Sequence, residues 1–368
     1  MLPSGSVIVT DRGVLENILA DGTIEKNRIQ YFNGTITPGF INAHCHTELS
    51  HLKGRISKKT GLPGFGKQII SIRSTFSAEE ISEHLHKADK EMREEGIVAC
   101  GDICNTSDSL KMKESSPIHY HSFIELLGLH PSRATEAMKT GKHLLEQFKN
   151  AGLSASLAPH APYSTSLELI SEIADLNTQL DVPSSIHNQE SKEETKFFMG
   201  DRSGFHDLYE FLKADLAWFK APGKSSLLWY FSTLKKQQTI LVHNTYSSAQ
   251  DIKNAMRENI FWCFCPNANL YIENSLPDYG LFDEVKNNVC LGTDSLASNS
   301  SLSMISEANV LLNSSTFSEL EVLRFMTSQG AKALKLENNL GKIKIGKHAG
   351  LNLIEIKDKK LHFKKRIL

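Results

Sequence analysis

Eight short apolar runs, separated by longer polar or amphipathic stretches, constrain this chain more than any other feature. They are "TPGFINAHCH" (37–46), "GIVACGDIC" (96–104), "IHYHSFIELLG" (118–128), "LSASLAPHAP" (153–162), "VPSSIHNQE" (182–190), "TILVHNT" (239–245), "IFWCFCPNA" (260–268) and "VCLGTDS" (289–295). Near-continuous hydrophobicity over a few residues marks strands buried on both faces. Between them lie helix-like stretches such as "AEEISEHLHKADKEMREEG" (78–96) and "SLELISEIADLNTQL" (166–180). Eight strand–helix repeats predict an α/β protein, a (β/α)8 TIM barrel. The ends differ: residues 1–36 read as short β segments, and "LGKIKIGKHAGLNLIEIKDKKLHF" (340–363) alternates in a β manner. Neither end makes a stable sheet alone. They are expected to pair as a small β-sandwich domain, 1–36 plus 337–368, beside a barrel of 37–336.

One connection breaks the pattern. Residues 191–238 contain "KFFMGDRSGFHDLYEFLKADLAWFKAPGKSSLLWYF", far longer than an ordinary barrel loop and rich in aromatics. Two readings stand: extra helices packed on the barrel, or a lid, pocket wall or dimer contact.

Composition narrows the partners. The 368 residues carry a formal net charge of −1 and no basic excess, whereas a protein that neutralises many phosphates needs clustered Lys and Arg. "KDKKLHFKKRIL" reads as a solvated final strand with a charged tail. No nucleic-acid partner is expected. No apolar run approaches the ~20 residues that span a bilayer, so no membrane association is expected either. "MLPSGSVIVTDRG" lacks a basic segment followed by an apolar one. The six cysteines form no Cys-x-x-Cys pair and sit mostly in apolar runs, as small hydrophobes do. A reduced, cytoplasmic location is the expectation. Cys263 and Cys265 flank Phe264 and stand open as thiolate ligands or as buried strand residues.

The polar residues at the ends of the runs carry the chemistry. His44 and His46 are one residue apart, so in a strand they share a face and Cys45 points away. They can bind one metal ion or simply edge a loop. His160, His187, His243 and Asp294 stand at the ends of four further runs, and Glu190 follows His187 by three. In a barrel, strand ends converge on one mouth. Neutral imidazole is the commonest metal ligand, and three His with one Asp suit zinc or another divalent transition ion, with iron and manganese open.

In order, "PGFINAHCH", "APHAPYS", "HNQE", "LVHNT", "PNANLYI" and "LGTDS" resemble the successive motifs of the amidohydrolase superfamily. More narrowly, they are similar to its branch of cytosine, guanine and S-adenosylhomocysteine deaminases and triazine hydrolases. The resemblance covers nearly the whole chain. It implies one metal ion on His44, His46, His187 and Asp294; "LSASLAPHAP" has no lysine for a second, bridged ion. It further implies catalysis by three residues. Asp294 takes a proton from water, His243 hydrogen-bonds the nucleophile, and Glu190 protonates the ring nitrogen beside the attacked carbon. Substrate contact falls to His160, and to Glu48 unless it makes a structural hydrogen bond. Arg133, after the third run, meets a substrate carboxylate or merely starts a helix. Asn267 and Asn269 order the loop near the metal. The chain departs from the family in having His348 where the closing segment usually has an acidic residue, and in being shorter than most relatives.

The expected function is hydrolytic deamination of an aminated heterocycle by a metal-bound enzyme. The substrate is a purine base or a nucleoside-like molecule such as S-adenosylhomocysteine, methylthioadenosine or 6-aminodeoxyfutalosine; guanine and cytosine stay open. His160 and the aromatic stretch favour the nucleoside-like group. Two alternatives remain: removal of a chloro or amine substituent from a triazine-type ring, and hydrolysis of a cyclic amide. Glu190 speaks against the amide, which needs no acid aimed at a ring nitrogen. A non-catalytic barrel would lack ligands, and none is missing. The partners expected are the small heterocycle and water, with a homodimer suggested by the aromatic stretch.

Overall fold

All eight apolar runs become strands. The structure, a computed structural model, describes residues 5–11, 13–20, 22–348 and 350–368. Its strands are β1 (Val7–Asp11), β2 (Val14–Leu19), β3 (Thr35–Pro38), β4 (Phe40–Cys45), β5 (Ile97–Cys104), β6 (His119–Leu126), β7 (Ser154–Pro159), β8 (Ser184–Asn188), β9 (Thr239–His243), β10 (Ile260–Phe264), β11 (Val289–Leu291), β12 (Leu351–Lys357) and β13 (Lys360–Arg366). Parallel pairing orders β4-β5-β6-β7 and β8-β9-β10-β11. Two seams close the ring. Cys45 bridges Asp294 in parallel, and the His187 N–H donates to the His160 carbonyl at 3.0 Å. Every residue of β4, β5, β8, β9, β10 and β11 is buried, as a sheet covered by helices on one side and filled with side chains on the other requires.

Ile41, Ala43, Ile103, Phe123, Ala158, Val242 and Phe261 share one apolar core with Cys263 and Cys265. Burial pushes the Cys265 thiol up to about 12. These two cysteines are therefore core thiols, and the thiolate-ligand reading falls away. Helices around the barrel start where the sequence supplies caps. Ser77 and Glu80 form a reciprocal capping box at Ala78–Glu94, and Ser166 caps Leu167–Leu180.

The long connection folds into helices Lys192–Met199, Gly204–Phe211 and Ser226–Tyr230. Phe197, Phe198 and Phe205 pack there with Leu52, Ile56, Leu62, Phe65 and Tyr163 in an apolar layer of their own. Phe197 stacks on Phe219 at 4.6 Å and Tyr163 on Phe205 at 4.2 Å. At the ends of the chain, β3 pairs antiparallel with β12, which pairs with β13. The β1–β2 hairpin forms a separate sheet, tied to the C-terminal segment where the Leu15 N–H donates to the Lys347 carbonyl at 3.0 Å. No helix among the described residues is long and apolar enough to cross a membrane.

Candidate active site

Strand ends deliver five ionisable groups to one place. His46 Nε2 stands 3.2 Å from His44 Nε2 and 3.1 Å from His187 Nε2. Asp294 Oδ1 is 3.6 Å from His44 Nε2 and 3.4 Å from His46 Nε2. His243 brings a ring nitrogen within 4.8 Å of those of His44 and His187. One shared proton cannot satisfy an imidazole nitrogen that faces two others. A divalent ion with bonds of about 2.0–2.1 Å would bring neighbouring ligand atoms to roughly 3 Å from one another, close to these four contacts of 3.1–3.6 Å. Burial drives the pKa of His44, His46 and His187 down, keeping the rings neutral. Burial alone would raise Asp294; the hydrogen bond with His44 and the neighbouring His46 and His243 outweigh it and hold the carboxyl well below the usual range. Neutral imidazoles and an ionised carboxylate are the forms that bind a metal. The residues fit such an ion.

The supports are equally specific. His187 Nδ1–H donates to the His160 carbonyl at 2.8 Å, which leaves Nε2 free for the cluster. Ser298 Oγ donates to Asp294 Oδ2 at 2.5 Å. A Cβ on Gly292 would come within 2.8 Å of the His44 Cβ and 2.7 Å of its carbonyl oxygen, so only glycine lets this turn close on β4. Thr47, next to His46, donates its N–H to Asp102 Oδ1 at 2.7 Å and its hydroxyl to Asp102 Oδ2 at 2.6 Å. Behind it the fully buried Lys113 ammonium pairs with Asp102 at 2.6 Å. Four non-glycine residues at the mouth hold positive φ: Gln189 (47°), His243 (75°), Asn244 (57°) and Asp294 (56°). Such backbone is costly and persists only where its surroundings impose it.

Glu190 is buried, with Oε1 3.6 Å from His243 Nε2. Burial, then Asp294, Glu273 and Glu194, raise its carboxyl well above the ordinary value, which favours the protonated form. Glu194 accepts the N–H groups of Gln189 and Glu190 at 3.1 and 3.2 Å and the Ser226 hydroxyl. The helices of the long connection thus brace the segment that carries Glu190. His243 Nδ1 donates to Asn269 Oδ1 at 2.8 Å, and the Asn267 N–H donates to Glu307 at 2.9 Å.

The remaining candidates lie as follows. His160 contacts Ser164 Oγ through Nδ1 at 2.5 Å, its ring 5.0 Å from that of His187. Glu48 is buried and accepts from the N–H groups of Asn105 (3.0 Å) and Thr106 (3.2 Å) and from Ser109 Oγ (3.4 Å). Burial pushes its carboxyl up to about 7. These bonds tie the loop after β4 to the loop after β5. Arg133 is exposed, at the end of a 3₁₀ turn, Pro131–Arg133. Reading the sequence singled out neither Asp102, Lys113, Glu125, Glu194 nor Ser298. Asp102 and Glu125 had a signal, as lone acids inside apolar runs; Ser298 had none.

A profile of the "Amidohydrolase family" matches residues 35–366. Among curated proteins, the chain is 28% identical over 345 residues to an adenosine deaminase of Helicobacter pylori, covering 90% of this chain and 82% of that one. It is 26% identical over 338 residues to a 5′-deoxyadenosine deaminase of Methanococcus maripaludis, covering 88% and 75%. A crystal structure of Helicobacter pylori aminofutalosine deaminase in complex with methylthio-coformycin superposes with a TM-score of 0.84 at 26% identity, over 98% of this chain and 92% of that one.

Proposed function

This chain belongs to the amidohydrolase family, and from that premise we propose that it is a zinc-dependent hydrolytic deaminase of a 6-aminopurine nucleoside. His44, His46, His187 and Asp294 would hold the ion, which when bound would lower the pKa of water from about 15.7 towards 7. The observation that carries the reading is Glu190: a buried carboxyl, 3.6 Å from His243 and next to the ligand cluster, whose surroundings favour its protonated form. Hydrolysis of an aromatic amidine needs such an acid, because electrons from the attacked carbon flow into the ring nitrogen.

The chain's own groups divide the work. Glu190 gives its proton to the ring nitrogen beside the amino-bearing carbon, which makes that carbon electrophilic. Asp294, ionised and fixed by Ser298 through Oδ2, accepts the proton released when water adds. His243, fixed by Asn269, orients that water. The carbon is then tetrahedral; Asp294 passes its proton to the amino group, the C–N bond breaks and ammonia leaves, while the added hydroxyl gives its proton to Glu190 and becomes the ring carbonyl. The apolar layer built from Phe197, Phe198, Phe205 and Tyr163 excludes bulk water from the reaction. His160 contacts the substrate. The names of the similar proteins, deaminases of adenosine-type nucleosides, support this substrate class.

The test is ammonia release from zinc-reconstituted protein across aminopurines, aminopyrimidines and adenosine-type nucleosides with different 5′ groups. Turnover of the nucleosides is expected. If only free bases, or nothing, is deaminated, the substrate class is wrong.

A further inference from the structure

One polar atom in the site has no task in this chemistry. Glu125, the penultimate residue of β6, is buried at 8% exposure. Its Oε2 accepts from Asn105 Nδ2 at 2.9 Å. Its Oε1 has no hydrogen-bond partner among the described residues. His187 Nδ1 stands 3.6 Å from it and is already engaged with the His160 carbonyl at 2.8 Å. A buried carboxylate oxygen without a donor is expensive and calls for one.

The position says where the donor comes from. One oxygen of Glu125 and one nitrogen each of His160 and His187 lie within 4.8 Å of one another. This group sits on the β6–β7–β8 side of the mouth, while His243 and Asp294 close the other side from β9 and the turn after β11. A purine whose reacting carbon lies over the ligand cluster and whose ring nitrogen faces Glu190 must place its sugar elsewhere on the rim. Sugar hydroxyls are neutral donors, and a carboxylate takes two of them from a vicinal diol.

We propose that Glu125 is a specificity-determining residue whose free oxygen accepts hydrogen bonds from the 2′- and 3′-hydroxyls of the substrate, with His160 flanking the sugar. The inference rests on the nucleoside deaminase reading above and sharpens it: the site selects ribonucleosides over deoxynucleosides and free bases. A site built to bond a hydroxyl rejects the analogue that lacks it, because its own polar atom is left unpaired.

The experiment compares zinc-reconstituted wild type with Glu125→Gln and Glu125→Ala on adenosine, 5′-deoxyadenosine and 2′,3′-dideoxyadenosine, with bound metal measured for each protein. Wild type is expected to favour the two diol-bearing nucleosides in kcat/KM by about 10- to 100-fold, the factor for a lost hydrogen bond to a charged group. Both variants should lose that preference, mainly through KM for the diols, while keeping one metal ion per chain. Retained discrimination in both variants overturns the proposal. So does loss of metal, which would make Glu125 a positioning residue for His187. A wild type inactive on all three compounds overturns the deaminase reading itself and the inference with it, a result distinct from the other two.

Discussion

Two buried polar clusters lie within the same barrel, and they solve the same problem in opposite ways. Around Lys113, the ammonium bonds Asp102 at 2.6 Å, Cys104 Sγ at 2.9 Å and Ser122 Oγ at 3.0 Å, and Asp102 takes both donors of Thr47. Burial alone would lower the Lys113 ammonium, and Asp102 and Cys104 outweigh it. That cluster is electrostatically closed. Around His46, three imidazole nitrogens and a carboxylate oxygen crowd together at 3.1–3.6 Å without the protons to satisfy them. That cluster has the ligand types and spacing that suit a cation. A closed cluster fixes a loop; an open one specifies a ligand. Thr47 joins the two, so the closed cluster holds the chain that presents His46.

The sharpest way to break this contrast is Asp294→Ala. Turnover should fall to the uncatalysed background and bound metal should be lost, with the melting temperature of the metal-free protein little changed; stoichiometric metal or residual catalysis would show that the open cluster is not a ligand set. Glu190→Gln comes next. It should keep its metal and lose about 10²- to 10⁴-fold in kcat. The acid must be protonated to act, so wild-type kcat/KM falls as pH rises through its raised pKa; the Gln variant should lack that alkaline limb, and an unaltered profile would remove Glu190 from the proton path.

Lys113→Met tests the closed cluster. Leaving Asp102 buried and unpaired should cost about 3–5 kcal/mol in urea unfolding, and adding Asp102→Asn should return part of it. A cost below about 1 kcal/mol would mean that the pair is not what holds this region. Ser298→Ala is the mildest. Removing the donor to Asp294 Oδ2 should weaken metal binding about 10- to 100-fold in chelator competition while leaving unfolding of the metal-free protein nearly unchanged.

Much of this was legible in the residues. The eight apolar runs mark all eight barrel strands, because burial on both faces demands continuous hydrophobicity. His44 and His46 were legible through the two-residue strand period, and His187, His243 and Asp294 through their place at run ends. The supports were not. Asp102 reads as a stray acid until its strand is paired beside β4 and meets Thr47. Glu194 belongs to a stretch whose aromatic content suggested packing or a lid; only folding turns it back onto the Gln189 and Glu190 backbone. Glu48 stood open between a substrate contact and a structural hydrogen bond; its carboxyl accepts from the backbone of Asn105 and Thr106, partners that no local pattern announces.

From the residues alone came the alternation of strand and helix, the types of ligand and their order along the chain. These depend on periods of two and 3.6 residues and on side-chain chemistry, both local properties. Tertiary structure decided which polar atoms are satisfied and which are left over. Asn42 bonding Thr293 across 251 positions, or Glu125 keeping one oxygen without a donor among the described residues, follows from where whole elements come to rest. Satisfaction of a buried atom is a sum over every neighbour, and most neighbours here are remote in sequence.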